Sequence, residues 1–239
     1  MFMLLALSLG SPGALRETQT LLLIRHGRTQ MNEHLAQPGK EMGAPNFEDP
    51  AYYDTELTEL GQAQARELHG SFRDRRYPPV DTLISSPLRR ALHTSEIVFS
   101  GHVSQSITQR IVTPLAAERL FLSSDVGSPI DELVERFDPR WNIRSSLHDS
   151  WWHHGDPDAP EWRPPGTYVV PGEPQAAFDQ RMRRLIEFLQ DIETERGSVV
   201  ALVCHAEVIQ ALTGKAVTNC ACIEMPMTAL PQEPFSKAH

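Results

Sequence analysis

A three-layer α/β/α sandwich on a mainly parallel sheet is the fold class this sequence predicts. Three observations point to it. Short, continuously apolar runs recur along the chain, as in strands buried on both faces. Segments of helical periodicity separate these runs, which gives βαβ units. Polar and charged residues cluster just after the runs, where open α/β sheets bind their ligands.

"TLLLIRHG" predicts a first strand ending at Arg25, because an unbroken apolar run is followed by a turn residue. Residues 30–57 are rich in Pro, Gly, Asn and Asp and read as a long loop. Thr58 is a good N-cap for a helix running to about Phe72, with Gln64 on its face. "PPVDTLISSP" carries a second strand from Val80 to Ser85, and Pro87 opens the helix "PLRRALHTSEIVFS". A third strand lies near Arg110 to Pro114. Residues 123–172 hold four Trp among many Pro, Asp and Gly. They read as an irregular insertion with one short helix, Pro129 to Phe137. The Trp side chains there cap a cleft or pack the insertion onto the domain. In "EPQAAFDQRMRRLIEFLQDIETER", Ala177, Met182, Leu185, Ile186 and Leu189 share one helical face. "GSVVALVCHAEVIQALTG" reads as strand, turn and helix, with Gly214 ending the helix. Beyond Met225 three prolines indicate an irregular tail.

With 40% of its 239 residues hydrophobic, the chain can bury one sizeable core, and its length permits one or two domains. A net charge of −9 argues against a nucleic-acid binder. It leaves room for an anionic substrate, since a site can be positive inside an acidic protein. Cys204, Cys220 and Cys222 are too few and too clustered for a disulfide framework, so a reducing, cytoplasmic setting is expected. The C-x-C of "NCAC" has no second pair to complete a zinc set. The pair His153 and His154 reads as surface or packing. No metal and no membrane span is expected. "MFMLLALSLG" at the start is short and lacks a preceding Lys or Arg. It reads as an apolar extension, with a secretory signal as the alternative.

The strand ends carry the chemistry. Arg25, His26, Gly27 and Arg28 follow the first strand. Ser85, Ser86, Arg89 and Arg90 follow the second, Glu118 the third and His205 the last. Converging guanidiniums suit a phosphoryl group, which Arg grips bidentately. A neutral imidazole among them can attack phosphorus, while the cations stabilise the charge on the transferring oxygens. A nearby carboxylic acid can protonate the leaving oxygen.

These residues bring a family into view. "LLLIRHGRTQMN" resembles the R-H-G-x-T-x-x-N signature of the histidine phosphatase superfamily, whose fold is that of the phosphoglycerate mutases. "DTELTELGQAQA", "ISSPLRRALHTSEIV" and "VVALVCHAEVIQALTG" are similar to the family's later motifs, in its order. The resemblance covers roughly Thr20 to Lys215. It implies a histidine phosphatase domain over 19–225 with insertions at 30–57 and 123–172. An apolar extension over 1–18 and a tail over 226–239 flank that domain.

Carried over by position, the resemblance implies that His26 is the phosphorylated nucleophile. Arg25, Arg90 and His205 complete the phosphate pocket. Arg28, Thr29, Asn32 and Ala206 bind substrate, and Glu118 donates the proton, with Asp125 and Glu207 as rivals. Glu207 departs from the small residue usual there, and Ala206 from the usual Gly. Glu173, in "PGEPQAAFDQR", reads as structural. The implied activity is a phosphatase that needs no metal or cofactor and takes a small phosphorylated substrate. Mutase-type phosphoryl transfer and non-catalytic binding of a phospho-ligand are the alternatives.

Overall fold

Leu21, Leu22, Leu23 and Ile24 are wholly inaccessible to solvent, which makes β1 (Thr20–Arg25) a central strand. The structure, a computed structural model, describes residues 19–152, 166–192 and 197–235. The expected 1–18 extension and the His153–His154 pair lie outside the described residues.

After β1 come α1 (Gln30–Leu35) and α2 (Glu59–Arg73), then β2 (Thr82–Ser85), α3 (Arg89–Val98) and β3 (Gln109–Val112). The short helices α4 (Ile130–Arg136) and α5 (Ile143–Ser146) follow. The chain closes with α6 (Gln175–Asp191), β4 (Val199–Cys204), α7 (Ala206–Thr213) and β5 (Cys222–Pro226). The sheet order is β3-β2-β4-β1-β5. The first four strands are parallel, and β5 runs antiparallel to β1.

Side chains alternate across the sheet and so build two cores. Leu22, Ile24, Leu83, Ala201 and Val203 pack with Ala65, Leu68 and Phe72 of α2 and Ala91 and Leu92 of α3. Leu21, Leu23, Ile84, Val200 and Leu202 pack with Phe178, Met182 and Leu185 of α6 and Val208 and Leu212 of α7. Three layers result, as the sequence predicts. In register, Arg25 lies opposite Cys204, and Ser85 opposite Val203. The residues that follow β1, β2 and β4 therefore leave the sheet at one edge.

Several expectations need correction. Residues 30–57 are not one long loop. They open with α1, because Thr29 and Asn32 form a reciprocal capping box, which satisfies two otherwise orphaned backbone donors. Pro87 precedes the N-cap Leu88 rather than opening α3. The third strand begins one residue earlier, at Gln109, and ends at Val112. Among its described residues, the 123–172 insertion holds two short α-helices where one is expected. The stretch over 222–226 is the edge strand β5, and the tail beyond it is docked: Met227 and Leu230 are buried, and the Phe235 N–H donates to the Ala211 carbonyl. Trp141 and Trp151 pack into the core beside α4 and α5, so of the two roles expected for the Trp residues, packing is the one seen for these. Among the described residues, no helix is long and apolar enough to cross a membrane.

Two buried aspartates join the insertions that flank the sheet edge. Asp49 accepts from the Ser123 N–H and hydroxyl. Asp54 accepts from the N–H groups of Ser128 and Arg89, and Arg89 also donates its Nε to the Asp54 carbonyl. Arg89 is thus spent on holding the loop.

Candidate active site

The loop after β1 is shaped by a backbone contact that only glycine permits. A Cβ on Gly27 would lie 2.6 Å from the Gly61 carbonyl oxygen, and one on Gly61 would lie 2.1 Å from that of Arg28. The Gly27 N–H donates to Thr94 Oγ1 at 3.0 Å. The Arg28 N–H donates to Gln64 Oε1 at 3.0 Å, so Gln64 orders this loop as well as occupying a helix face. We expect Gly27→Ala to lower stability by about 1–3 kcal/mol, the range for inserting a methyl where backbone must move. Urea unfolding would measure this, and an unchanged midpoint would show that the close approach is not required.

His26 is held in one orientation. Its N–H donates to the Cys204 carbonyl, its own carbonyl accepts from Asn219 Nδ2 at 3.0 Å, and its Nδ1 lies 2.7 Å from the Gly27 carbonyl. A carbonyl only accepts, so Nδ1 carries the proton and Nε2 keeps its lone pair. Burial pushes the imidazole well below its ordinary pKa, and the Arg90 and Arg25 guanidiniums add to this. His26 is therefore neutral at pH 7.

The His205 ring centroid lies 5.0 Å from that of His26. Its Nε2 is 2.8 Å from Ser86 Oγ. Burial, followed by Arg90 and His26, keeps it neutral too. Two buried polar atoms at this point have no hydrogen-bond partner, His205 Nδ1 and Arg25 Nε. Leaving a buried donor unpaired costs about 1–3 kcal/mol, so an anion that paired with such groups would be favoured at this point. Arg25 is steered by a 2.6 Å bond from Nη1 to the Val217 carbonyl.

Arg90 sits at the start of α3, 3% exposed. It donates Nη1 to the Ser124 carbonyl and Nη2 to Asp125 Oδ1 at 2.9 Å. The other Asp125 oxygen accepts the N–H groups of Phe121 and Leu122. This carboxylate is fully engaged in fixing Arg90 and its own turn.

Glu118 lines the same cleft, part-buried, and its Oε1 accepts from the Arg119 N–H. Burial, reinforced by the negative charges of Glu207 and Asp125, pushes its pKa up to about 7. The loop that carries it is pinned from behind. Arg181 donates Nη1 to the carbonyls of Leu115 and Ala117. The buried Glu173 holds Arg181 through both carboxylate oxygens, which fits the structural role expected of Glu173.

The cleft has a volume of about 430 Å³, within the roughly 300–1,000 Å³ of small-molecule sites. Arg25, His26, Thr29, Asn32, Arg90, Glu118 and Ala206 line it, together with Asp125 and Glu207. Arg28 and His205 are not among its lining residues; Arg28 Nε lies 3.8 Å from Glu33, and His205 is wholly buried beside His26. Thr29 and Asn32 do reach the cleft, while also capping α1. Asp125, Asn219, Ser86 and Thr94 support the site through bonds that no local spacing in the sequence announces. Among the described residues, no group of three or more His, Cys, Asp or Glu side chains could hold a metal ion.

Residues 21–230 match the family model of the histidine phosphatase superfamily, branch 1. The adenosylcobalamin/alpha-ribazole phosphatase of Salmonella typhimurium is 28% identical over 200 residues, covering 83% of this chain and 79% of that protein. The fructose-2,6-bisphosphatase TIGAR B of Danio rerio is 31% identical over 116 residues, 48% of this chain and 39% of that one. The crystal structure of the alpha-ribazole phosphatase from Shigella flexneri shares the fold. Its TM-score is 0.53 at 22% identity, over 86% of this chain and 89% of that one.

Proposed function

The chain belongs to branch 1 of the histidine phosphatase superfamily, and on that premise we propose that it hydrolyses a small phosphomonoester through a phosphohistidine on His26. The observation that carries this reading is a neutral, immobilised imidazole, its Nε2 unprotonated, under the influence of two guanidiniums in a cleft of small-molecule size.

The geometry supports the following steps. Arg25 and Arg90 grip the phosphoryl oxygens, with His205 as a further donor through Nδ1. Thr29, Asn32 and Ala206 border the bound group. His26 Nε2 attacks phosphorus, the P–N bond forms, and the bond to the leaving oxygen breaks. Glu118, protonated, gives that oxygen its proton. A water then attacks the phosphohistidine, losing its proton to Glu118. The P–N bond breaks, phosphate leaves, and both His26 and Glu118 return to their starting states. The guanidiniums stabilise charge on the transferring oxygens, so the proposed reaction uses no metal.

Glu118 is preferred over Asp125 as the acid because Asp125 is engaged with Arg90 and two N–H groups. A pKa of about 7 also suits an acid that must become a base. The catalytic unit on this reading is one domain over 19–225 with the 226–235 segment docked on it. The three free cysteines support a reducing, cytoplasmic setting.

Glu118 must be protonated, so turnover of esters with poor leaving groups falls as pH rises through about 7. His26 must be neutral, and its depressed pKa keeps activity until the pH is well below 6.5. Glu118→Gln is expected to slow poor leaving groups by about 10²–10⁴-fold, good ones far less, and to flatten the alkaline limb. An equal loss across leaving groups, measured as kcat against leaving-group acidity, would move the role to Glu207 or Asp125.

A further inference from the structure

Ser86 follows β2 and His205 follows β4, two strands paired in the sheet. Both residues are wholly inaccessible to solvent. The Ser86 backbone is pinned on both sides: its N–H donates to the Val203 carbonyl at 3.0 Å, and its carbonyl accepts the Ser85 hydroxyl at 2.9 Å. The Ser86 hydroxyl oxygen accepts the Leu88 N–H at 3.3 Å and lies 2.8 Å from His205 Nε2. A hydroxyl has one proton to give. Leu88 brings a donor and cannot receive it. Among the described residues, the Ser86 hydroxyl meets no acceptor other than His205 Nε2.

His205 is neutral, because burial and then the Arg90 guanidinium hold its pKa well below the usual imidazole range. A neutral imidazole carries its proton on one nitrogen and keeps a lone pair on the other. With the proton on Nε2, two buried groups would go unpaired: the Ser86 O–H and the Nδ1 lone pair. With Nε2 accepting from Ser86, a single group is left over, the Nδ1–H. Burial favours the arrangement that leaves fewer polar groups unpaired. That remaining Nδ1–H has no partner among the described residues. Its ring lies beside His26, with 5.0 Å between centroids, where the reaction brings phosphoryl oxygens.

Resting on the phosphatase reading above, we infer that Ser86 is a positioning residue for His205: its hydroxyl holds the ring in the Nδ1–H tautomer, so that His205 meets the phosphoryl group as a donor and not as a lone pair. Ser86 itself touches no substrate. It sets the donor before substrate arrives, so binding need not select one tautomer from a mixture.

Nitrogen NMR of the protein labelled in its histidine rings, with His205 assigned through a His205→Asn variant, reads the tautomer directly at neutral pH. In the wild type, Nδ1 of His205 is expected to show a pyrrole-type shift and Nε2 a pyridine-type one. In Ser86→Ala, checked for folding by circular dichroism, the two shifts should move towards each other as the proton divides between the nitrogens. Affinity for inorganic phosphate, measured by calorimetry, should then fall roughly 3–10-fold, because only the Nδ1–H fraction is competent to bind. The kcat/KM for benzyl phosphate should fall at least as far. A pyrrole-type Nε2 in wild-type His205 would overturn the assignment, and the wild-type spectrum decides this even if the variant does not fold. A folded Ser86→Ala protein in which either the shifts or the phosphate affinity are unchanged would overturn it too. The expected shifts in a wild type that binds phosphate yet releases none from benzyl or p-nitrophenyl phosphate would overturn the phosphatase reading alone.

Discussion

His26→Ala is expected to abolish phosphate release, with kcat reduced by at least ~10⁴-fold, since removal of a nucleophile leaves only what binding and electrostatics supply. The size of the loss follows from how little else in the cleft can replace it. His205 lies close, but its Nε2 is engaged with Ser86 at 2.8 Å. Cys204 is buried, and burial pushes its thiol further from the reactive thiolate. Ser85 donates its hydroxyl to the Ser86 carbonyl. The substitution should leave the fold intact, because the bonds that fix this loop run through the backbone N–H and carbonyl of His26. Phosphate release from benzyl phosphate, with circular dichroism as the folding check, measures it. Activity within ten-fold of wild type would remove His26 from the reaction.

Arg90→Ala should have two large effects. Loss of one charge-stabilising donor typically costs ~10²–10³-fold in kcat, and Arg90 is among the cations that keep His26 and His205 neutral. The second effect is on the fold. Arg90 and Asp125 are both buried and paired at 2.9 Å. Removing one partner of a buried pair costs about 3–5 kcal/mol, because the other charge is left uncompensated. Asp125 also accepts the N–H groups of Phe121 and Leu122, so its turn should loosen. Arg90→Lys should recover part of the stability and little of the rate, since an ammonium lacks the planar fork. Urea unfolding together with kcat/KM separates the two effects. A variant as stable and active as the wild type would detach Arg90 from both roles.

Much of this arrangement is legible in the sequence, for identifiable reasons. β1 and β4 are apolar on both faces because helices cover both sides, so their runs stand out. Arg25, His26, Arg90 and His205 follow strands that lie side by side, and each sits in a recognisable motif. Other parts have no local signal. β5 is an edge strand of half-exposed residues, held by its ladder to β1 rather than by an apolar run of its own. α1 is six residues long and rests on a Thr29–Asn32 box, where the usual signature has Glu or Gln. Asp125 meets Arg90 across 35 residues, and Asn219 meets His26 across 193; no spacing foretells either. Arg28 carries the motif's charge yet is not among the residues lining the cleft, because the motif specifies a residue order and not a side-chain direction.

Covalent transfer to His26 Nε2 leaves a phosphoryl group that rapid quenching of the enzyme with phosphorus-labelled ester into alkaline denaturant, followed by peptide mapping, would trap. An alkali-stable, acid-labile phosphoryl group is expected on His26 in the wild type and is missing in His26→Ala. Label on Ser85, Ser86 or Cys204, or single-turnover hydrolysis with no labelled peptide at any time, would contradict it.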